Sequence, residues 1–312
     1  MKPAWSVIFL TTLIGAAQGL FLALFGVDVA ARLGAVAPAP ANFFVTGSAV
    51  SVALLAAGLV ASFFHLGRPE RAWRAVAMWR TSWLSREVIV LPLFIATVAA
   101  YGHAYASALS CAGWIGLVGV LLCFALFFCT AMIYICLKFL QEWHTPLTFV
   151  NFLLLGTASG VLLAAVLATA YLPSLVTALA VVAGAVTAAG AFTRGLSLMR
   201  NARLRPISTP QSAIGIANPK IAQKAQGAMG GSFNTREFFH GRTAEVVCAV
   251  KWFFLLATFL LPLVLISVVL AGGAENWLVV AFVVQYLGLL AERWFFFAQA
   301  RHPQNLYYQA IS

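Results

Sequence analysis

Residues 112–137, AGWIGLVGVLLCFALFFCTAMIYICL, run for 26 residues without a charge. A helix needs about 20 apolar residues to cross a bilayer, so this stretch decides the fold: it spans a membrane. Seven further apolar runs flank it, near 5–27, 43–64, 87–106, 149–171, 174–193, 249–271 and 277–298. Alternating ten-residue strands of a barrel are absent, and helices are the other way to satisfy backbone polar groups in lipid. The 312 residues are 62% hydrophobic and 9% charged, where soluble domains carry roughly a quarter charged residues. The expected fold is therefore all-α, a single polytopic domain over 1–312. It has eight transmembrane helices, short non-cytoplasmic turns and a long cytoplasmic loop over 194–248.

Orientation follows from charge. Eight spans put both termini on one side, where eighteen Lys and Arg residues fall, against Arg32 alone on the other. The excess of basic residues marks the cytoplasmic face, so both termini are expected in the cytoplasm. Lys2, the first apolar run and Ala35-Val36-Ala37 have some look of a cleavable signal. The run is longer than the roughly 7–15 residues of a signal's apolar core, and a retained span is expected. The net charge of +11 has sufficient cause in cytoplasmic topology and anionic membrane lipid. Nothing supports nucleic-acid binding. Five cysteines without a CxxC pair read as small buried hydrophobes, and no iron–sulfur cluster is expected in this chain.

The charges that remain are concentrated in one place. His65-Leu-Gly-Arg-Pro-Glu-Arg-Ala-Trp-Arg74, followed by Ser82-Trp-Leu-Ser-Arg-Glu87, joins the second and third spans. Ionisable groups at the end of a lipid-spanning helix are expensive and call for an explanation. Gly67 and Pro69 break the second span, and Pro69 suits the first turn of a new short helix. In an α-helix there, Arg71, Arg74 and Met78 share one face and Trp73, Val76 and Ala77 another, a pattern that lies along the membrane interface. Ser82 or Ser85 caps the third span, which sets Glu87 in its first turn near the positive end of the helix dipole.

These residues suit a quinone head group. Its two carbonyl oxygens need hydrogen-bond partners and a proton route. An imidazole such as His65 can donate or accept near neutral pH, Glu87 can pass protons onward, and arginines can hold negative charge. Any single arginine is better read as a contact to lipid phosphate, whereas His65 and Glu87 together favour the quinone chemistry. Haem b would need two histidines facing each other inside the bundle. His65 and His144 sit at helix ends, His103 near the opposite surface, and His240 and His302 outside the spans, so no haem is expected. Gln18, Gln285, Asn151 and Thr11/Thr12 read as interhelical hydrogen bonds. Glu292 and Arg293 either pair with each other or reach the 65–87 pocket. No midplane chain of Asp, Glu or Lys appears, which disfavours a pump or ion-coupled transporter.

HLGRPERAWRA…SWLSRE (65–87), GSFNTREFFHG (231–241), ERWFFFAQARHPQNLYYQ (292–309) and the opening PAWSVIFLTTLIGAAQGLFLALF (3–25) resemble membrane-anchor subunits of the dimethyl sulfoxide reductase type. The resemblance covers essentially the whole chain. It implies a complex with a molybdopterin catalytic subunit and a four-cluster ferredoxin-like iron–sulfur subunit. Such an anchor exchanges electrons with the ubiquinone or menaquinone pool in a bacterial inner membrane. His65, Gly67, Arg71 and Glu87 carry over as quinol-site residues, and the candidate site also takes in Arg68, Ser85 and Arg86. Arg74, Arg236, Glu237, Phe238, Phe239 and Arg293 are the expected docking residues. The reductase-type anchors turn these loops to the periplasm. The charge pattern turns them to the cytoplasm here, which is similar to anchors of cytoplasmic sulfite-oxidising complexes. The alternatives are an S-oxide reductase anchor of anaerobic respiration and a structural anchor without redox work.

Overall fold

The computed structural model describes residues 1–64, 66–222 and 237–307. Every described regular element is helical, and eight helices are long and apolar enough to cross a membrane. They are α1 (Trp5–Arg32), α2 (Ala41–Phe63), α3 (Trp83–Ala106), α4 (Ala112–Ile135), α5 (Pro146–Tyr171), α6 (Val176–Ala202), α7 (Ala244–Leu270) and α8 (Trp277–Ala298). All eight spans expected from hydropathy are present.

Helices α1 and α5 form the centre. Of the most apolar window of each, 72% and 67% are buried within the protein, against 33–44% for the other six. Small residues allow this. Gly15 and Gly19 of α1 meet Gly156 and Gly160 of α5, and a methyl group built on Gly19 or Gly160 would overlap the facing backbone. In lipid, where apolar surface gains little by leaving solvent, such close backbone approach is a main source of helix association. Around this pair, α2, α3 and α4 pack on one flank, and α6, α7 and α8 on the other. A π-helical turn at Leu256–Leu260 interrupts α7 beside Gly288 of α8. There Gln285 donates to Thr187 Oγ1 (3.1 Å) and to the Thr258 carbonyl (3.3 Å). Gln18 likewise donates to the Cys123 carbonyl (3.0 Å), as expected of polar side chains between helices.

Three helix boundaries lie a few residues beyond the expected ones. Helix α3 begins at Trp83, with Ser82 as its cap accepting from the Ser85 amide (3.4 Å). Glu87 therefore lies beyond the first turn, inside the membrane-spanning helix. Helix α6 continues to Ala202, which takes Arg194 out of the loop. Helix α7 begins at Ala244, so the expected 194–248 loop shortens to 203–243. Within it a five-residue helix covers Pro210–Ile214. Of the cysteines only Cys123 and Cys129 are buried; Cys111, Cys136 and Cys248 face outward.

The N-terminus, residues 237–238 and residues 300–305 meet on one side of the bundle, called here the terminal side. The Met1 amino group donates to the Ala300 carbonyl (2.8 Å), and the Lys2 amide to the Glu237 carbonyl (3.0 Å). His302 stacks on Phe238 with centroids 3.7 Å apart, and Asn305 donates to the Phe238 carbonyl (3.1 Å). The 138–145 connection is fastened over the same side. Trp143 Nε1 donates to the Phe296 carbonyl (2.9 Å), and Arg200 to the Gln141 carbonyl (3.0 and 3.1 Å).

Candidate functional site

Four of the five buried charged side chains among the described residues gather in the terminal-side half; the fifth, Asp28, lies towards the other end. Glu87 is 6% exposed, Arg194 2%, Glu292 0% and Arg293 4%. They come from three helices around the central pair: Glu87 from α3, Arg194 from α6, and Glu292 and Arg293 from α8. Glu292 bridges two guanidiniums, with Oε1 2.7 Å from Arg194 Nε and Oε2 2.6 Å from Arg293 Nε. Aromatic faces pack around them. The Arg293 guanidinium lies 4.0 Å from the Phe152 ring centroid, and that of Arg194 lies 5.6 Å from Phe254. Cations over ring faces gain attraction in a desolvated setting. Two cations against one anion leave this triad with one positive charge, and an isolated charge in a bilayer is costly.

Glu87 is the carboxyl placed to offset it. It lines a cavity of about 30 Å³ together with Arg293, Gln18, Thr11, Thr12 and Ser159. Thr130 of α4 donates its hydroxyl to Glu87 Oε1. A water needs roughly 10–15 Å³ of such volume and two to four polar partners, so this cavity has room for about two. A second cavity, of about 10 Å³, lies on the other side of the triad. Arg194, Glu292, Asn151, Ser197 and Glu142 line it, and Arg293 and Phe152 belong to both. Asn151 donates to Ser197 Oγ (2.7 Å) and accepts from Thr193 Oγ1 (2.9 Å). Glu142, half-buried in the 138–145 connection, stands at the edge of the second cavity. Burial pushes the nearby Met1 amino group down to about 6 while the Glu142 carboxylate opposes the fall.

The candidate residues read from the sequence separate into three groups. Glu87 alone of them lines the larger cavity with Arg293. Ser85 is buried in the first turn of α3, its amide held by the Ser82 cap. Arg86 donates to the carbonyls of Trp79 (2.9 Å) and Arg80 (2.8 Å) and stacks 4.0 Å over Trp83. It clips the end of the connection to the start of α3. Gly67, Arg68, Arg71 and Arg74 are exposed, with no atom within 4 Å of a methyl group built on Gly67. Arg71 is 3.9 Å from Glu70, both half-exposed or more. Residues Pro69–Met78 form a 3₁₀ rather than an α-helix. At three residues per turn, Arg71, Arg74 and Ala77 share a face, and Trp73, Val76 and Trp79 another; Met78 leaves the arginine face. His65 and Arg236 lie outside the described residues.

Among the expected docking residues, Arg293 lines both cavities at 4% exposure, and Phe239 is 7% exposed. The carboxylate of Glu292 and the aromatic lining draw Arg293 inward. Glu237 and Arg74 are exposed and Phe238 is partly so. Thr130, Gln18, Arg194 and Glu142 were not singled out as site residues by the sequence reading. For Arg194 a signal was there: Thr187, Gly190, Arg194 and Ser197 recur at helical spacing, and all four are buried. The stripe says that α6 continues past 193.

A family model described as DMSO reductase anchor subunit (DmsC) matches residues 1–298. The chain is also 53% identical to a sulfite dehydrogenase subunit of Allochromatium vinosum, over the whole of both chains.

Proposed function

This chain belongs to the DMSO reductase anchor subunit family, and from that premise we propose that it is a quinone-reactive membrane anchor. It exchanges electrons between an iron–sulfur partner subunit and the quinone pool, in a complex whose molybdopterin subunit oxidises sulfite in the cytoplasm. The observation that carries the reading is the burial of Glu87 in a polar, water-sized cavity, directly after the largely exposed 66–80 connection. A structural anchor without redox work needs this carboxyl for charge balance, but it gives no reason for the water-sized polar cavity beside it. Whole-length identity to a sulfite dehydrogenase subunit and the basic terminal side support the sulfite subclass, the cytoplasmic orientation and a bacterial inner membrane.

The residues fit the group in one place and not in another. A cavity of about 30 Å³ admits water and not a ring, which needs a pocket of roughly 300 Å³ or more. A quinone head would therefore be held by the connection itself, by His65, Arg68 and Arg71 with the open space at Gly67. A bound quinone supplies two-electron, two-proton chemistry. Thr130 occupies Oε1 of Glu87, which leaves Oε2 as the oxygen that takes and gives the proton. The arginines favour negative charge at the surface. Arg86 and the Ser82 cap keep the connection fixed relative to α3, so that the proton acceptor and the head-group contacts stay in register.

His65→Ala in the purified complex tests this. The expected result is loss of quinone-linked turnover with all subunits still assembled. Unchanged quinone-linked turnover in an intact complex would remove the proposal.

A further inference from the structure

We propose that the Arg194–Glu292–Arg293 triad and the water of the two cavities it separates form a proton relay between Glu87 and the aqueous phase at Glu142. This rests on the reading of Glu87 as the proton-exchanging group. It adds the path by which Glu87 is recharged and the side on which that path opens.

Four observations converge. Arg293 and Phe152 line both cavities, so the two spaces approach each other at these side chains. Arg194 Nη2 and Arg293 Nη1 are buried donors with no protein partner among the described residues. Buried charged donors without a partner are rare, and ordered water is the usual supplier. The two volumes, about 30 and 10 Å³, hold the few waters needed. Finally, Glu142 is half-buried at the edge of the smaller cavity, which gives the chain of donors and acceptors an outlet.

Charge says which groups carry the proton. Glu292 is pinned between two guanidiniums, both its oxygens engaged in ion pairs. Its part in the relay is to hold the two arginines and orient water. The two arginines with Glu87, Glu292 and Glu142 sum to one negative charge when every carboxyl is ionised, so the set is neutral with a single proton bound. That proton resides on Glu87 or on Glu142, the two carboxyls without a guanidinium in contact, and passes between them along the water held by the triad. Two electrons arriving from the iron–sulfur partner are then matched by two protons, passed singly through Glu87 Oε2. In the oxidising direction the same protons leave by the same route, on the terminal side.

The test reads the relay without any quinone. The full chain in lipid nanodiscs is subjected to a pH jump, and the infrared carboxyl band of Glu87 is followed, identified by its loss in Glu87→Gln. In the wild type the band equilibrates with the new pH. In Glu142→Gln, a change at a half-exposed position compatible with folding, it equilibrates at least tenfold more slowly, and a small weak acid such as azide restores the rate. Asn151→Leu, which fills the smaller cavity, slows it as well. Unchanged kinetics in Glu142→Gln, or no band attributable to Glu87, overturns the relay. Because no quinone is present, failure here leaves the His65→Ala experiment free to decide the quinone reading by itself.

Discussion

Two clusters of charge are buried in this bundle, one near each end, and they are built to different rules. On the side away from the termini, Asp28 accepts from Arg32 Nε (2.7 Å) and from the Tyr101 hydroxyl (3.4 Å). Arg32 is half-exposed, one helical turn from Asp28, and the aromatic rings of Phe21, Phe44 and Tyr105 close around Tyr101. Both carboxylate oxygens have partners and the charges cancel locally. On the terminal side the charges come from three helices, carry unpartnered nitrogens, border two cavities and balance only when Glu87 is counted. The first arrangement is what a membrane protein needs in order to hold α1 against α3. The second keeps donors, acceptors and space that holding helices together does not require, and that surplus is what the proposed proton exchange would use.

The comparison can be broken by removing one carboxyl from each cluster. Glu292→Gln leaves Arg194 and Arg293 buried without their anion, a change that costs about 3–5 kcal/mol where a buried pair is broken. Thermal unfolding of the detergent-solubilised chain should show the largest loss of any substitution named here. Asp28→Asn removes an ion pair whose cation is half-exposed. It should cost about 1.5 kcal/mol, the low end for a charge-assisted bond, and leave quinone-linked turnover of the complex untouched. A comparable loss of turnover in Asp28→Asn would erase the distinction between the two ends. Arg74→Ala, exposed beside Trp73, should change stability by less than about 0.5 kcal/mol and weaken binding to anionic vesicles slightly.

Acidity sharpens the same contrast at the terminal surface. Burial lowers the pKa of His302, stacked on Phe238, and of His240. The folded state favours their neutral rings, so their contribution is full above the ordinary imidazole value of about 6.5 and fades as pH falls through the lowered one. Protection of 237–243 and 300–305 against hydrogen exchange, taken relative to the intrinsic rate at each pH, should therefore fall modestly on acidification. His302→Phe should abolish the pH dependence in the 300–305 segment.

What the sequence made legible is set by how locally each feature is encoded. Eight apolar runs read directly as eight helices, because length and composition along one segment suffice. The expected spans began at Glu87 and stopped just before Arg194, and both charges lie inside helices for reasons held by other helices: Thr130 of α4 bonds Glu87, and Glu292 of α8 bonds Arg194. Arg293 fell within the expected last span and pairs with Glu292 beside it. A charge inside a bilayer is tolerated when its partner arrives from elsewhere, and a reading along one segment has no access to that partner. The pairing of Glu292 with Arg293 and the Ser82 cap needed only neighbours in sequence, and both were anticipated.

The central claim is that Glu87 exchanges protons with the quinone reaction instead of merely balancing the triad. Quinone-linked and dye-linked activities of the purified complex carrying Glu87→Gln test it directly. The expected result is a loss of about 10²-fold or more in quinone-linked turnover, the scale of a general acid–base group, with dye-linked activity of the catalytic subunit unchanged. Full quinone-linked turnover in that variant, or an equal loss of both activities, would contradict the claim.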